Sequence, residues 1–228
     1  IGRWAALYPD QVADMMTPKV LDMPKSLEAK VAFRAEHLVK YQGKGMAKRY
    51  RKLVDSVSDE RLKEAVALGY HKLLSYKDEY EVARLHLETR AKAESVFEGD
   101  FEMTYHLAPP VLSKQGPNGR PVKKEFGHRM LRGFKVLAGL KRLRGTPFDM
   151  FGYTDERKME RALIKQYERD MADILGKQGD APHDAAVALA ELPLQIRGFG
   201  PVKMANEAKA AKRREELLVA LNGAPSIP

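Results

Sequence analysis

The sequence predicts a mainly α fold, a multi-helix domain with at most one minor strand element. Three observations predict it. Apolar residues recur every three or four positions through most of the chain, as a helix with one buried face requires. Cap residues and prolines stand where those runs begin. Only residues 101–107 alternate as a strand does, through Phe101, Met103, Tyr105 and Leu107.

Residues 1–25 read as irregular, broken by Pro9, Pro18 and Pro24 around a short helix at 10–16. Ser26 can cap a helix running to Tyr41, with Leu27, Val31, Ala35 and Leu38 as its stripe. Gly43 and Gly45 close it, and a second helix covers 46–56. Ser58 caps a third, with Leu62, Val66, Leu73 and Tyr76 on one face, expected to run on through Tyr80 and Arg84. A short helix fits 89–97. Glu98-Gly99-Asp100 turns the chain into the strand, which Ala108-Pro109-Pro110 ends. A hairpin with 111–114 before the turn at 115–119 is too short, so residues 194–198 or another domain are the candidate partner. Phe126, Met130, Phe134, Leu137 and Leu140 mark a helix to about Lys141. A rigid loop over 145–153 follows. Thr154 caps the clearest helix, carrying Met159, Leu163, Tyr167, Met171 and Ile174. A shorter helix at 184–192 stops before Pro193, and Pro201 opens a last one through Leu221. The expected organisation is one helical domain over 26–222 and a disordered tail over 223–228.

The net charge of +9 admits a nucleic acid, an anionic membrane or an acidic partner. Its distribution matters more. Residues 30–53 hold eight Lys/Arg against Glu36 alone, and residues 120–146 hold nine against Glu125 alone. Between them lies an acidic region with Asp78, Glu79, Glu81, Glu94, Glu98, Asp100 and Glu102. If these blocks face each other, the basic surface shrinks. The absence of cysteine excludes disulfides, cysteine-ligated clusters and a thiol nucleophile, and fits a reducing, cytoplasmic setting. No apolar run reaches membrane-spanning length and no signal pattern opens the chain. An initial isoleucine suggests a piece of a longer protein. Phosphate loops, dinucleotide fingerprints, nucleophile elbows and histidines four residues apart are all missing, so no catalytic or metal residue is assigned.

Four segments exceed what packing needs. In the first, residues 76–84, Lys77 can pair with Glu81 and Tyr80 can stack on Arg84. It reads as a solvated face or as a polar docking strip. The second, residues 143–153, sets Phe148, Phe151 and Tyr153 among glycines. They are expected to tuck under the loop, the other reading being an aromatic pocket with Arg144 as anion contact. In the third, Glu156 and Glu160 are expected to meet the basic stretch 120–146. The fourth, Ile196-Arg197-Gly198-Phe199-Gly200-Pro201-Val202-Lys203, is a tight turn or an anion site, although Pro201 removes one amide donor. The second and fourth are expected to lie close together. Candidate interface or anion contacts are Lys77, Arg84, Arg144, Phe151, Arg197 and Lys203.

These segments carry a resemblance. Tyr76-Lys77-Asp78-Glu79-Tyr80-Glu81-Val82-Ala83-Arg84-Leu85, His106-Leu107-Ala108-Pro109-Pro110, Leu143-Arg144-Gly145-Thr146 with Phe148-Asp149 and Phe151-Gly152, Glu156-Arg157 with Glu160-Arg161-Ala162-Leu163, and Ile196-Arg197-Gly198-Phe199-Gly200 with Val202-Lys203 resemble the C-terminal region of fused bacterial indolepyruvate ferredoxin oxidoreductases. The match spans about residues 60 to 215. It implies a parent enzyme that oxidatively decarboxylates aryl 2-oxo acids to aryl-acetyl-CoA. The parent would use thiamine diphosphate, iron–sulfur clusters and coenzyme A, on regions preceding this one. The chain then reads as an accessory or interface domain, itself without cofactor, whose partners are the parent's catalytic domains, with homodimer contacts as a second expectation. The alternative is a basic helical module that binds nucleic acid. No recognition motif supports that alternative, and nucleic acid is not the expected partner.

Overall fold

A computed structural model describes residues 24–97, 99, 101–107, 122–177, 183–198 and 200–223. The expected helix at 10–16, the turn and hairpin at 108–119, Phe199 and most of the 223–228 tail lie outside the described residues. The described residues form eight α-helices and one short two-stranded ribbon, a mainly α protein.

The helices are α1 (Leu27–Tyr41), α2 (Lys44–Asp55), α3 (Glu60–Leu74), α4 (Glu79–Val96), α5 (Met130–Gly139), α6 (Asp155–Gly176), α7 (His183–Glu191) and α8 (Pro201–Asn222). Short 3-10 turns, Leu140–Leu143 and Leu192–Gln195, follow α5 and α7. Side-chain caps set several starts. Ser26 accepts from Ala29 N, Asp59 from Leu62 N, Asp78 from Glu81 N and Thr154 from Arg157 N. Each satisfies one of the amides a helix start leaves unpaired, worth about 0.5–2 kcal/mol.

The expected continuous helix through Tyr80 and Arg84 breaks at residues 75–78, because Asp78 turns its carboxylate back to cap α4. From there α4 runs unbroken to Val96 and absorbs the helix expected at 89–97. The helix expected to include Phe126 starts only at Met130. Phe126 belongs instead to β2 (Lys124–Phe126), which pairs antiparallel with β1 (Tyr105–Leu107), Tyr105 opposite Phe126. Residues 194–198 are not the strand's partner. The 3-10 turn Leu192–Gln195 takes up the start of that stretch, and Lys72 Nζ donates to the carbonyl of Ile196 at 2.9 Å.

Two hydrophobic clusters result. The larger joins α1, α2, α3, α6, α7 and α8. Tyrosines fill its centre: Tyr50 stacks on Tyr70 at 6.2 Å and Tyr70 on Tyr167 at 5.7 Å between ring centroids. Buried hydroxyls must find acceptors. Tyr50 donates to Ala67 O, Tyr167 to Ala190 O, Tyr41 to Tyr76 O and Tyr70 to Glu168. Gly69 lets α3 and α7 touch: a Cβ there would lie 2.1 Å from the Ala190 carbonyl oxygen. The smaller cluster, Ala83, Tyr105, Leu131 and Phe134, joins α4, the ribbon and α5.

Candidate functional site

The linker between α3 and α4 organises the region. Asp78 receives a two-pronged ion pair from Arg144, Nε to Oδ2 at 2.5 Å and Nη2 to Oδ1 at 2.8 Å. Their side chains are 3% and 2% exposed. The remaining nitrogen, Arg144 Nη1, donates to Tyr41 O at 3.1 Å, and the guanidinium lies 3.7 Å from the Tyr41 ring centroid. Burial disfavours the Arg144 charge, but the hydrogen bonds to Asp78, together with the negative charge of Asp78 and the neighbouring tyrosines Tyr41 and Tyr76, raise the pKa overall. Arg144 is therefore not the solvent-facing anion contact the sequence suggested. All three guanidinium nitrogens are engaged inside the fold.

Residues 145–153 form a braced loop. Asp149, 4% exposed, accepts from Gly145 N at 2.8 Å and from Tyr80 Oη at 3.1 Å. Arg161 Nη2 donates to Gly152 O, and Tyr153 Oη to Pro147 O at 2.6 Å. Gly145 sits at φ +78°, a conformation other residues rarely adopt. Phe151 packs edge-on against Tyr80 at 5.3 Å. The expected local aromatic core forms only there. Phe148, Met150 and Tyr153 are 76%, 74% and 62% exposed. The Asp149 carboxylate, the Gly152 carbonyl and Phe151 brace the backbone from within, while these three side chains stay in solvent.

A groove of about 310 Å³ opens beside the linker, lined by its Ser75, Tyr76 and Lys77. Lys72, Lys77, Arg197 and Lys203 border it, with Leu73, Leu163, Pro193 and Ile196 as its apolar lining. Lys203 pairs with Glu160 and lies 3.5 Å from Glu156. The glutamate row on α6 thus meets α8, not the basic stretch 120–146 as expected, because the charged member of that stretch that reaches the core, Arg144, is taken by Asp78. Burial, then the positive charges of Arg197 and Lys203, lower the pKa of Lys72. The two loops are linked through successive residues of α6: Glu160 holds Lys203 and Arg161 holds Gly152 O.

A family model described as a family of unknown function, DUF6537, matches residues 27–216. The chain belongs to this family. Searches of curated proteins and of solved structures return no match. Among the described residues of this DUF6537 chain, no group of three or more His, Asp or Glu could hold a metal ion, and no helix is long and apolar enough to cross a membrane.

Of the six sequence candidates, Lys77, Arg197 and Lys203 share the groove. Arg144 is buried, Phe151 leans on Tyr80, and Arg84 pairs with Glu81 and Glu88 on α4. The pairings Lys77–Glu81 and Tyr80–Arg84 do not form. Arg84 takes Glu81, and Tyr80 turns to Asp149. Sequence reasoning passed over Lys72, Asp78, Asp149 and Met150. Asp78 had a legible signal, because an aspartate three residues before a glutamate is a capping pattern. Lys72 had none: its partners are backbone carbonyls more than a hundred residues away.

Proposed function

We propose that this DUF6537 chain is a non-catalytic accessory domain of an indolepyruvate-type ferredoxin oxidoreductase in the cytoplasm, docking on the catalytic domains through the tip of the 145–153 loop. One observation carries the docking assignment. Phe148, Met150 and Tyr153 are held out in solvent by a loop whose backbone is pinned by the buried Asp149. Aromatic and methionine side chains are enriched at interface centres, and a rigid loop loses little freedom on binding. The parent assignment is supported by the motifs in residues 76–85, 143–152, 156–163 and 196–203. In this reading thiamine diphosphate, the iron–sulfur clusters and coenzyme A act on the catalytic domains, and this chain assigns no residue to them.

The test replaces Phe148 and Met150 with serine in the full-length parent and in the separate chain. The variants should melt like wild type, since both side chains are exposed. Association of the chain with the catalytic domains supplied in trans should weaken about tenfold or more, the loss expected of central contact residues. Unchanged association would refute the docking assignment. Turnover by the purified chain with indolepyruvate, coenzyme A, thiamine diphosphate and an electron acceptor would refute the non-catalytic one.

A further inference from the structure

We propose that the groove between the α3–α4 linker and the turn before α8 binds a small organic anion, a single phosphate or carboxylate head on a compact apolar body. This does not depend on the docking assignment, which concerns Phe148, Met150 and Tyr153, none of which lines the groove.

Charge balance is the first ground. Four cations from three separate segments border one space: Lys72 at the end of α3, Lys77 in the linker, and Arg197 and Lys203 on either side of the turn. The acids beside it are already engaged: Glu160 is shared between Lys203 and Arg157, and Glu156 lies 3.5 Å from Lys203, so neither faces Lys72, Lys77 or Arg197 as an ion-pair partner. Folding has therefore gathered like charges, an arrangement that is unfavourable until an anion arrives. The depressed proton affinity of Lys72, after the effect of burial, registers that mutual repulsion from Arg197 and Lys203.

The cations divide into two kinds. Lys72 and Lys203 are committed to the fold, one on the carbonyls of Leu194 and Ile196, the other on Glu160. Lys77 and Arg197 are exposed. Among the described residues, the Lys77 ammonium makes no hydrogen bond or ion pair. Arg197 spends Nε on Leu194 O at 2.9 Å, which orients the guanidinium and leaves its terminal nitrogens for a carboxylate or phosphate. Its arginine fork is thus preset.

The lining supplies the second ground. Leu73, Leu163, Pro193 and Ile196 form an apolar wall beneath the charges, so a bare inorganic ion would leave that surface wet. The volume, about 310 Å³, stands at the small end of ligand pockets, which excludes a dinucleotide lying wholly inside. Backbone amides contribute little, since Pro201 opens α8 without an N–H. Recognition falls to side-chain charge above and apolar contact below.

The chain would be titrated with phenyl phosphate, benzoate and inorganic phosphate, followed by calorimetry and backbone amide shifts. Phenyl phosphate or benzoate should saturate below about 1 mM, with shifts at residues 72–77 and 196–203. Lys77→Ala and Arg197→Ala should each weaken binding by about tenfold, while Lys52→Ala, an exposed lysine on α2, leaves it unchanged. Among the described residues the Lys77 side chain makes no hydrogen bond or ion pair, and its carbonyl, which accepts from Arg157, is kept in alanine, so its variant remains readable if Arg197→Ala melts early. No saturation up to about 10 mM of any probe would overturn the site. So would equal weakening by Lys52→Ala, which marks diffuse charge attraction. Inorganic phosphate binding as tightly as phenyl phosphate would overturn the apolar body.

Discussion

Arg144→Ala should be among the most damaging single changes in this protein. It strands Asp78, 3% exposed, with its charge and without the two hydrogen bonds at 2.5 and 2.8 Å that balance it. It also removes the donor to Tyr41 O and the cation over the Tyr41 ring. Removing one partner of a buried pair costs about 3–5 kcal/mol. That is a large part of the ~5–15 kcal/mol stabilising a typical domain. Asp78→Ala should cost a similar amount, because it strands the guanidinium and removes the α4 cap, itself about 0.5–2 kcal/mol. The double variant leaves neither charge of the pair stranded, so its loss should fall short of the summed single losses by about 2 kcal/mol or more. Urea unfolding of the four proteins at pH 7 measures the cycle. A loss below about 1 kcal/mol for Arg144→Ala, or additivity within about 0.5 kcal/mol, would refute the reasoning.

Gly69→Ala should destabilise by about 1–3 kcal/mol although alanine favours helix, because its Cβ would meet the Ala190 carbonyl oxygen at 2.1 Å; thermal melts check this. Stability should fall with acid below pH 6.5. Burial, then the charges of His37 and Arg34, lower His71 to about 3, so the unfolded chain takes the proton first. The loss should run from about pH 6.5 toward 3 at no more than about 1.4 kcal/mol per unit. Glu81, held at about 2 because, against its burial, the two hydrogen bonds from Arg84 and the nearby His37 favour its charge, adds its own loss only as pH falls from about 4.5 toward 2. His71→Gln should therefore flatten the urea midpoint between pH 6.5 and 4.5, and an unchanged slope would remove His71 as the cause. Duplex DNA should bind weakly and release with salt, since Lys30, Arg49 and Arg51 of the first basic block are paired with Glu64, Glu168 and Glu28. Salt-resistant, sequence-selective binding in a titration would contradict this.

Helix starts were legible wherever a cap writes local chemistry. Ser26, Thr154 and Pro201 stand where the sequence put them. At Ser58-Asp59 two cap-forming residues adjoin, and the second does the capping. The break at 75–78 was hidden because Tyr76 and Tyr80 continue the apolar spacing with no glycine or proline between them, and the bond that holds Asp78 comes from Arg144, distant in the chain. β2 was hidden because Lys124-Glu125-Phe126 has no alternation to read. The groove was half legible. Arginine, glycine and lysine around 197–203 drew attention, while the lysine facing them from α3 and the glutamate on α6 could be placed only by packing.

Asp78 and Arg144 stand at the two ends of everything in the smaller cluster: α4, the ribbon and α5 all lie between them in the chain. Their ion pair closes that excursion at its base, and Arg144 seats the pair on the larger core through Tyr41. The excursion is therefore a graft on the main body, with its own thin interior and a locked junction. Amides in its far half should exchange with solvent through openings that leave the tyrosine stack intact, because few buried contacts resist them. Insertions or a protease cut beyond α4 would be absorbed within the graft, leaving the 145–153 tip and the groove in place.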